Sequence, residues 1–564
     1  MTLSYLLMRL RPQVEQHATA LPGPYPQFVL FFSISDGKKR AETATVTGAD
    51  FARTWRQGIQ RITRIAEAKK LKPRWLRVDW VESCEQTTWG KLQEHLQDTK
   101  RNYFRHGLSL DQAFEHAFLE TELNGNAMLY GGGNIGHAVL NVNNFRRYAA
   151  LRHNVTALDF PNGGQVYVFS ARGAFAETGA TEVHLLHGAG RDAGRRDIRE
   201  LTTEHARDLI RNGSNYLASQ VGEGGKFHYG WHPCFDRPIG SYNSLRHAST
   251  VYSMLEAWEV TREAQLKSAI DRALDYLVKS LISTVRYENK LLSFLVDQNS
   301  EIKLGGNAVC LLAMVKYSEL TGTDKYLSIL ERLAEGILHM QDKNTGKFSH
   351  VLVYPSLAVK EEFRIIYYDG EAAFGLMRLY GLTEDPRWIA AVENAFAYFI
   401  QAKHWKAHDH WLAYCVNELT RYRPDEAYYQ FGIQNFVDHL DFIIERITTF
   451  PTLLELMMAA QKMIARLDAE SEHRHLIDDI DMEKFYRALH VRAHYLLNGH
   501  FWPELAMFFE NPGKIAGSYF IRHHAFRVRI DDVEHYLSGF VAYLNYLESG
   551  ADKKLLSLDR TCAA

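Results

Sequence analysis

The sequence predicts a mainly α protein, in which a C-terminal (α/α)6 toroid of helical hairpins follows a smaller α+β domain. A helix rich in small residues that ends near Leu-Thr or Val-Thr, a short turn and a second amphipathic helix recur from residues 241, 305 and 369. A weaker copy begins at residue 409. One hairpin cannot bury its apolar face alone, so repeats of this period stack or close into a ring around a central funnel.

The helical periodicity supports this reading. Roughly twelve helices follow residue 202, which makes about six hairpins, as an (α/α)6 toroid requires. They are predicted over 202–220, 243–260, 263–281, 305–322, 324–341, 369–382, 386–402, 408–421, 425–446, 451–467, 481–498 and 531–548. Gly-Lys-Phe-His at 225–228 is echoed by Gly-Lys-Phe-Ser-His at 346–350, as expected for equivalent loops on one rim.

Residues 1–190 are predicted to form an α+β domain of unknown role, because strands and helices occur there without strict βαβ alternation. The predicted strands are 27–35, 40–47, 73–85, 165–175 and 182–189, and the predicted helices are 49–71 and 110–129. The glycine-rich run 130–139 lacks the spacing of a phosphate loop, so a tight turn is favoured. A linker at 191–201 precedes the toroid, 202–550, and a tail at 551–564 follows it.

Composition excludes several classes of protein. The chain has 564 residues and a formal net charge of −2, so no global basic field favours nucleic acid or an anionic membrane. The basic run 188–200 is interpreted as a solvated linker. No stretch reaches the apolar length of a membrane span. We therefore expect neither nucleic acid nor a membrane as a partner, and the oligomeric state is left open.

Cysteine usage favours a reducing compartment. The five cysteines are scattered and form no Cys-x-x-Cys pair, so neither a disulfide framework nor a thiolate zinc site is predicted. The N-terminal apolar stretch is too short for a signal peptide. A soluble cytoplasmic protein is the expectation.

Four clusters place polar side chains where a toroid would turn them toward its funnel. The first supplies Tyr229, Trp231, Tyr242, Asn243, Arg246 and His247. The positive end of the helix dipole disfavours an Arg and a His in the first turn of a helix, so a nearby anionic group would stabilise them. The alternative is a buried Arg–His–carboxylate network that joins neighbouring helices.

The second cluster contains Tyr367, Tyr368 and Glu371, and the third contains His410, Tyr414 and Glu418. Glu371, one turn into a helix of small residues, could be a positioned acid or base, or could cap its own helix. The three residues of the third cluster fall on one helical stripe, although Glu418 could instead pair with an arginine such as Arg378.

The fourth cluster, at the start of the last helix, contains Arg529, Asp531, Asp532 and His535. Either aspartate could orient the imidazole or pair with Arg529, and either could also cap the helix. No His-Glu-x-x-His motif occurs and the close histidine pairs do not have helical i,i+4 spacing, so no metal and no cofactor are predicted. A metal assembled across the ring is the alternative.

The four clusters, in this order on this many hairpins, resemble carbohydrate-active (α/α)6 proteins. The sequence is most similar to the helical domain of glucuronyl C5-epimerases, through EAAFGLMRLYGLT at 371–383 and through Arg529-Ile530-Asp531 followed by His535. It resembles N-acylglucosamine 2-epimerases and six-hairpin glycosidases more loosely. The resemblance covers residues 200–550.

This resemblance implies an enzyme that processes a carbohydrate by acid–base chemistry in the funnel: an epimerase, a lyase or a hydrolase. Its substrate would be a small molecule or an oligosaccharide, such as a glycan containing uronic acid. Arg246 and Arg529 would bind a carboxylate, and in a hydrolase Glu371 would act with Asp531 or Asp532.

The site residues divide into two groups on this basis. The catalytic candidates are Tyr242, His247, Tyr367, Glu371, Asp531, Asp532 and His535. The substrate-binding candidates are Tyr229, Trp231, Asn243, Arg246, Tyr368, His410, Tyr414, Glu418 and Arg529. The alternatives are a non-sugar enzyme that acts on a peptide or cell-envelope precursor, and a non-catalytic binding or assembly scaffold.

Overall fold

The computed structural model of the protein describes residues 2–469 and 472–550. The chain up to residue 187 contains a curled, seven-stranded antiparallel sheet in the order β2-β1-β3-β6-β4-β5, with β7 paired to β6. The strands are β1 Phe28–Ser35, β2 Glu42–Gly48, β3 Trp75–Thr88, β4 Gly107–Ser109, β5 Ala117–Phe118, β6 Gln165–Glu177 and β7 Val183–Leu185. The helices are α1 Leu3–His17, α2 Phe51–Ala68, α3 Trp89–Asp98, α4 Glu120–Gly125 and α5 Val142–His153.

The two faces of this sheet pack against different partners. Helices α1 and α2 cover one face, where Leu6 and Trp55 join a core with Trp80. The other face packs Phe31 and its neighbours against Phe508, from the helical part of the chain. The sheet is therefore attached to the helical part through apolar side chains.

One predicted helix of this region is wrong. Residues 110–129 were expected to be helical, but only Glu120–Gly125 are, and strand β5 lies in the segment before them. The Asp111 carboxylate accepts hydrogen bonds from the backbone N–H groups of Glu115 and His116, which folds this segment into a turn.

The helical part contains six hairpins and three small sheets among the described residues. Its helices are α6 Thr203–Gln220, α7 Ser244–Thr261, α8 Ala264–Tyr276, α9 Leu304–Thr321, α10 Leu327–His339, α11 Tyr367–Thr383, α12 Pro386–Gln401, α13 His410–Tyr422, α14 Glu426–Gln434, α15 Leu440–Glu445, α16 Thr452–Ala469, α17 Met482–Tyr495, α18 Pro503–Ala506 and α19 Ile530–Glu548. Its strands are β8 Gly230–His232, β9 Arg237–Pro238, β10 Ile282–Tyr287, β11 Lys290–Leu295, β12 Glu301–Lys303, β13 Val351–Val353, β14 Ala358–Glu361 and β15 Val528–Arg529.

Six of these helices form a closed inner ring. Helices α7, α9, α11, α13, α16 and α19 pack in succession, and α19 returns to α7. Helices α6, α8, α10, α12, α14 and α17 pack outside them. The predicted helical hairpins are confirmed, although the helix predicted over 425–446 is divided into α14 and α15.

The inner helices approach one another closely because small residues line their contacts. A Cβ on Gly370 of α11 would lie 2.6 Å from the backbone nitrogen of Leu412 in α13, so only glycine fits there. These helices are buried on nearly all sides, and their N-terminal ends converge at one mouth of the ring. The first turns of the inner helices are therefore the natural place for polar side chains.

The segment that leads into the ring is more tightly packed than predicted. Arg196 forms an ion pair with buried Glu504 at 2.7 Å, and Arg195 is only 4% exposed. The interpretation of residues 188–200 as a solvated linker is therefore wrong for these two arginines.

No helix among the described residues is long and apolar enough to cross a membrane.

Candidate active site

A cavity of about 390 Å³ opens at the N-terminal ends of the inner helices. Ten of the residues predicted for the site line it: Asn243, Arg246, Tyr367, Tyr368, Glu371, His410, Arg529, Asp531, Asp532 and His535. They come from four inner helices and from the strand before α19, so residues distant in sequence meet only because the ring closes.

Glu371 is a buried carboxyl group in the wall of this cavity. It is 5% exposed, and its Oε2 has no hydrogen-bond partner. The side chain lies against Gly305 of α9, whose missing side chain leaves the space. Burial, reinforced by the nearby Asp409 and Glu534 carboxylates, raises the pKa of Glu371 to about 8. Glu371 is therefore an acid that keeps its proton near neutral pH.

His535 is held as a cation by a neighbouring carboxylate. Its Nδ1 donates to Glu455 of α16 at 2.9 Å, and its Nε2 lies 3.7 Å from Glu534. Burial lowers the pKa of His535, but Glu455 outweighs this effect and, with Glu534, raises the pKa to about 10. Tyr414 donates its hydroxyl to the other oxygen of Glu455 at 3.1 Å, which orients the ion pair.

His410 lies beside His535 in the cavity, which His523 and His524 also line. Its Nδ1 lies 3.2 Å from Asp409, and its buried Nε2 has no hydrogen-bond partner. The ring packs edge-on against His535 and Tyr367, with centroids 5.4 Å and 5.5 Å away. With its proton on Nδ1, toward Asp409, His410 has a lone pair on Nε2 that can accept a proton from a bound molecule.

The aspartates at the start of α19 are bound by arginines. Asp531 forms an ion pair with Arg246 at 3.0 Å and accepts a hydrogen bond from Arg529 at 2.7 Å. Asp532 accepts from the Nε and Nη2 of Arg527 and from the backbone N–H of Arg529, so it also caps the helix. Burial and the neighbouring Asp532 raise the pKa of Asp531 despite the two arginines.

Six predicted residues lie outside the cavity. Tyr242 and His247 are bonded to each other at 2.7 Å in the wall, and the Nε2 of His247 reaches the Ala273 carbonyl. Tyr229 accepts from Arg246 behind the cavity. The remaining three are Trp231, which donates to Gln220, Tyr414, which supports Glu455, and Glu418, which pairs with Arg421.

Sequence reasoning missed Glu455, Glu534 and Arg527, which all contact predicted residues. Glu455 is the lone acid in an otherwise apolar helix start, PTLLELMM, and that isolation was a usable signal. Glu534 accepts from Ser249 and Thr250 of α7, and burial raises its pKa to about 8.

Two histidines and one glutamate at the cavity are arranged closely enough to hold a metal ion. Ligand atoms of His410, Glu455 and His535 lie within 4.8 Å of one another. Two histidines and a carboxylate form the ligand set of many catalytic zinc sites. Since the His535–Glu455 ion pair already accounts for this arrangement, we assign no metal to it.

No protein-family model matches the chain, and no curated protein matches it in sequence. Solved structures similar to it include a D-mannose isomerase, 11% identical over 61% of this chain and 97% of that chain, with a TM-score of 0.46. A cellobiose 2-epimerase from Bacillus thermoamylovorans B4167 is 11% identical over 60% and 99% of the two chains, with a TM-score of 0.46. An unsaturated glucuronyl hydrolase from Streptococcus agalactiae is 13% identical over 62% and 93%, with a TM-score of 0.43.

These likenesses concern the fold alone. With TM-scores of 0.43 to 0.46 they add no argument to it, and the closed ring rests on the packing of the inner helices. The particular similarity to glucuronyl C5-epimerases stays a prediction.

Proposed function

We propose that the protein is a carbohydrate-processing enzyme that transfers protons to and from a sugar bound in the cavity at the mouth of the ring. The observation that carries this proposal is the convergence of three groups from different helices: the Glu371 carboxyl, the unpartnered Nε2 of His410 and the His535–Glu455 ion pair. Groups whose environments push their protonation states apart are typical of acid–base catalysis.

The lining suits a sugar. Tyr367, Tyr368 and Trp411 offer aromatic faces for the apolar side of a sugar ring, and the polar groups between them can bind its hydroxyls. The volume of about 390 Å³ lies within the range of small-molecule sites, about 300–1,000 Å³. A substrate of one or two sugar units fits this space.

The reaction that best uses these groups is an isomerisation or epimerisation beside a carbonyl. His410 removes the proton from the carbon next to the carbonyl, and Glu371 donates its proton to the carbonyl oxygen, which gives an enediol. His535 stabilises the negative charge that develops on that oxygen. For isomerisation, the protonated His410 then gives its proton to the neighbouring carbon and Glu371 takes the proton of the other enediol hydroxyl, which restores both groups.

The arginines favour a neutral sugar over a uronate in this proposal. Arg246 and Arg529 both form ion pairs with Asp531, so a substrate carboxylate would have to displace that aspartate from them. A buried charge left without its partner costs several kcal/mol, of the order of 3–5. The uronate substrate that the sequence resemblance implies is therefore the second choice.

Hydrolysis is the second candidate reaction, and one observation favours it. The Oδ1 of Asp531 is buried and has no hydrogen-bond partner. It could act as the base that activates water while Glu371 protonates the leaving oxygen, as paired carboxyl groups do in glycosidases.

Proton exchange in D2O distinguishes the two reactions. The protein is incubated with neutral aldoses and ketoses, disaccharides, uronates and short peptides, and the products are followed by NMR. We expect solvent deuterium on the carbon beside the carbonyl of a neutral sugar. New reducing ends without deuterium at carbon would support the hydrolase instead, and turnover of peptides alone would contradict both sugar reactions.

The fit of Glu371 against Gly305 gives a second test. The Cβ of Gly305→Ala would lie 1.8 Å from the Glu371 Oε2 and 2.5 Å from the Tyr368 ring, so the carboxyl must move. Since misplacement by about 1 Å costs on the order of 100-fold in rate, we expect kcat to fall by about that factor. The melting temperature should also fall, because the new Cβ displaces both the Glu371 carboxyl and the Tyr368 ring, and the loss of kcat is therefore measured at a temperature where the variant is folded.

Gly306→Ala is the matched control for this variant. The atom nearest to its Cβ would be the Cδ2 of Leu295, at 3.3 Å, and the next is the Cβ of Leu245, at 3.6 Å. We expect nearly normal kcat from it. Equal losses in both variants would contradict the placement of Glu371.

A further inference from the structure

A second and larger cavity lies along the free edge of the N-terminal sheet. It measures about 1320 Å³, and residues 42–47 of β2 form its floor. One wall comes from α2, through Gln57, Gln60, Arg61 and Arg64, and the opposite wall comes from the C-terminal end of α5 and from residues 113–116. We call this cavity the edge groove.

The edge groove is strongly basic. Seven basic side chains line it against four acidic ones. The basic residues are Lys38, Lys39, Arg40, Arg61, Arg64, Lys69 and Arg152, and the acidic residues are Glu42, Glu115, Asp236 and Glu510. Since the whole chain has a net charge of −2, this concentration of positive charge is local.

Several of these cations have no anionic partner. Arg40 pairs with Glu510, Lys69 with Glu42, and Arg152 with buried Glu122. Among the described residues, no carboxylate lies within ion-pair distance of Lys38, Lys39 or Arg64, and all three are exposed. Unpaired cations around a concave surface attract a negatively charged partner.

The floor of the groove is an edge strand whose outward backbone groups pair with no other described strand. Strand β2 pairs only with β1 among the described strands, and Phe31 lies opposite Thr45 in that pairing. The Thr45 carbonyl points away from β1, because it accepts a hydrogen bond from the Arg61 guanidinium at 2.7 Å. In an antiparallel ladder alternate residues point the same way, so Thr43 and Thr47 also direct their backbone groups into the groove.

We propose that the edge groove binds an acidic peptide segment in extended conformation, which adds to β2 as an extra strand. The outward backbone groups of β2 give it main-chain hydrogen bonds, and the basic walls select acidic side chains. In the free protein the Arg61 side chain covers the edge of β2. When the peptide binds, its guanidinium leaves the Thr45 carbonyl and pairs with an acidic side chain of the peptide. A flexible anionic glycan would meet the charges but would leave the strand edge unpaired.

The proposal is tested by fluorescence anisotropy with a labelled ten-residue peptide of alternating Glu and Thr. A peptide with Gln in place of Glu and a labelled oligogalacturonate of equal charge are the comparison ligands. We expect the acidic peptide to bind more tightly than both, and its affinity to fall as salt rises.

Three variants separate charge from strand pairing. Lys39→Glu combined with Arg64→Glu should weaken the acidic peptide at least about tenfold, or 1.4 kcal/mol. Arg56→Glu, on α2 but outside the groove, is the matched control and should have no effect. Thr47→Pro removes one outward N–H without breaking a bond to β1, so it should weaken the peptide and leave the oligogalacturonate unchanged.

Two results would overturn the proposal. If the oligogalacturonate binds as tightly as the peptide and Thr47→Pro changes neither, the groove is a site for polyanions in general. If neither ligand binds, the groove has no such partner. These outcomes are independent of the sugar reaction, because the groove lies on the sheet and away from the mouth of the ring.

Discussion

Glu371→Gln is expected to lower kcat by about 10²–10⁴-fold, because a glutamine cannot donate the proton that the carbonyl oxygen requires. The wild-type activity should fall as pH rises through about 8, where the acid form of Glu371 is lost. The residual activity of the variant should lack this decline. The measurement is kcat against pH on the sugar that shows deuterium exchange.

Two control variants define what this result means. Glu418→Gln changes another buried acid of the inner ring, which pairs with Arg421 outside the cavity, and it should leave kcat unchanged. Glu534 also has a pKa raised to about 8 by burial, so Glu534→Gln tests a second acid of the cavity with this shift. If Glu371→Gln keeps the decline at pH 8 and Glu534→Gln loses it, the acid is Glu534.

The hairpins were predictable because each one is a local pattern. Small residues followed by Leu-Thr and an amphipathic partner define α9 and α10 without knowledge of the rest of the chain. The break between α14 and α15 was not predictable in this way, because no Pro or Gly lies between residues 433 and 446. Packing of Phe436 against Phe485 of α17, a long-range contact, accompanies that break.

Sequence also predicted which helix ends would meet, but not which side of each helix would face the cavity. Arg246 and His247 are neighbours at the start of α7, yet Arg246 lines the cavity and His247 is fully buried in the wall. Adjacent residues of a helix are rotated by about 100° around its axis, so a shift of one position decides whether a side chain lines the cavity or is buried in the wall. That rotation is set by the closure of the ring, which no single hairpin encodes. Glu455 was missed for the same reason.

Glu455→Gln is expected to destabilise the protein by roughly 1–3 kcal/mol, since it removes the ion-pair partner of the His535 imidazolium, which is 24% exposed. His535 has a pKa raised from 6.5 in the unfolded chain to about 10 in the fold. Its contribution to stability is therefore fully present below pH 6.5 and is lost as pH rises through 10. The Glu455 carboxylate has a lowered pKa, so its own contribution is present above about pH 4.5 and is lost at more acidic pH.

The difference between wild type and Glu455→Gln should consequently be largest between pH 4.5 and 6.5 and should shrink toward pH 10. Urea unfolding at a series of pH values measures it. Tyr414→Phe is the matched control, because it removes one hydrogen bond to Glu455 and keeps both charges. We expect it to cost about 1.5 kcal/mol at every pH in this range. A loss in Glu455→Gln that does not vary with pH would show that His535 is neutral, and the cation assigned to the reaction would then have to be another group.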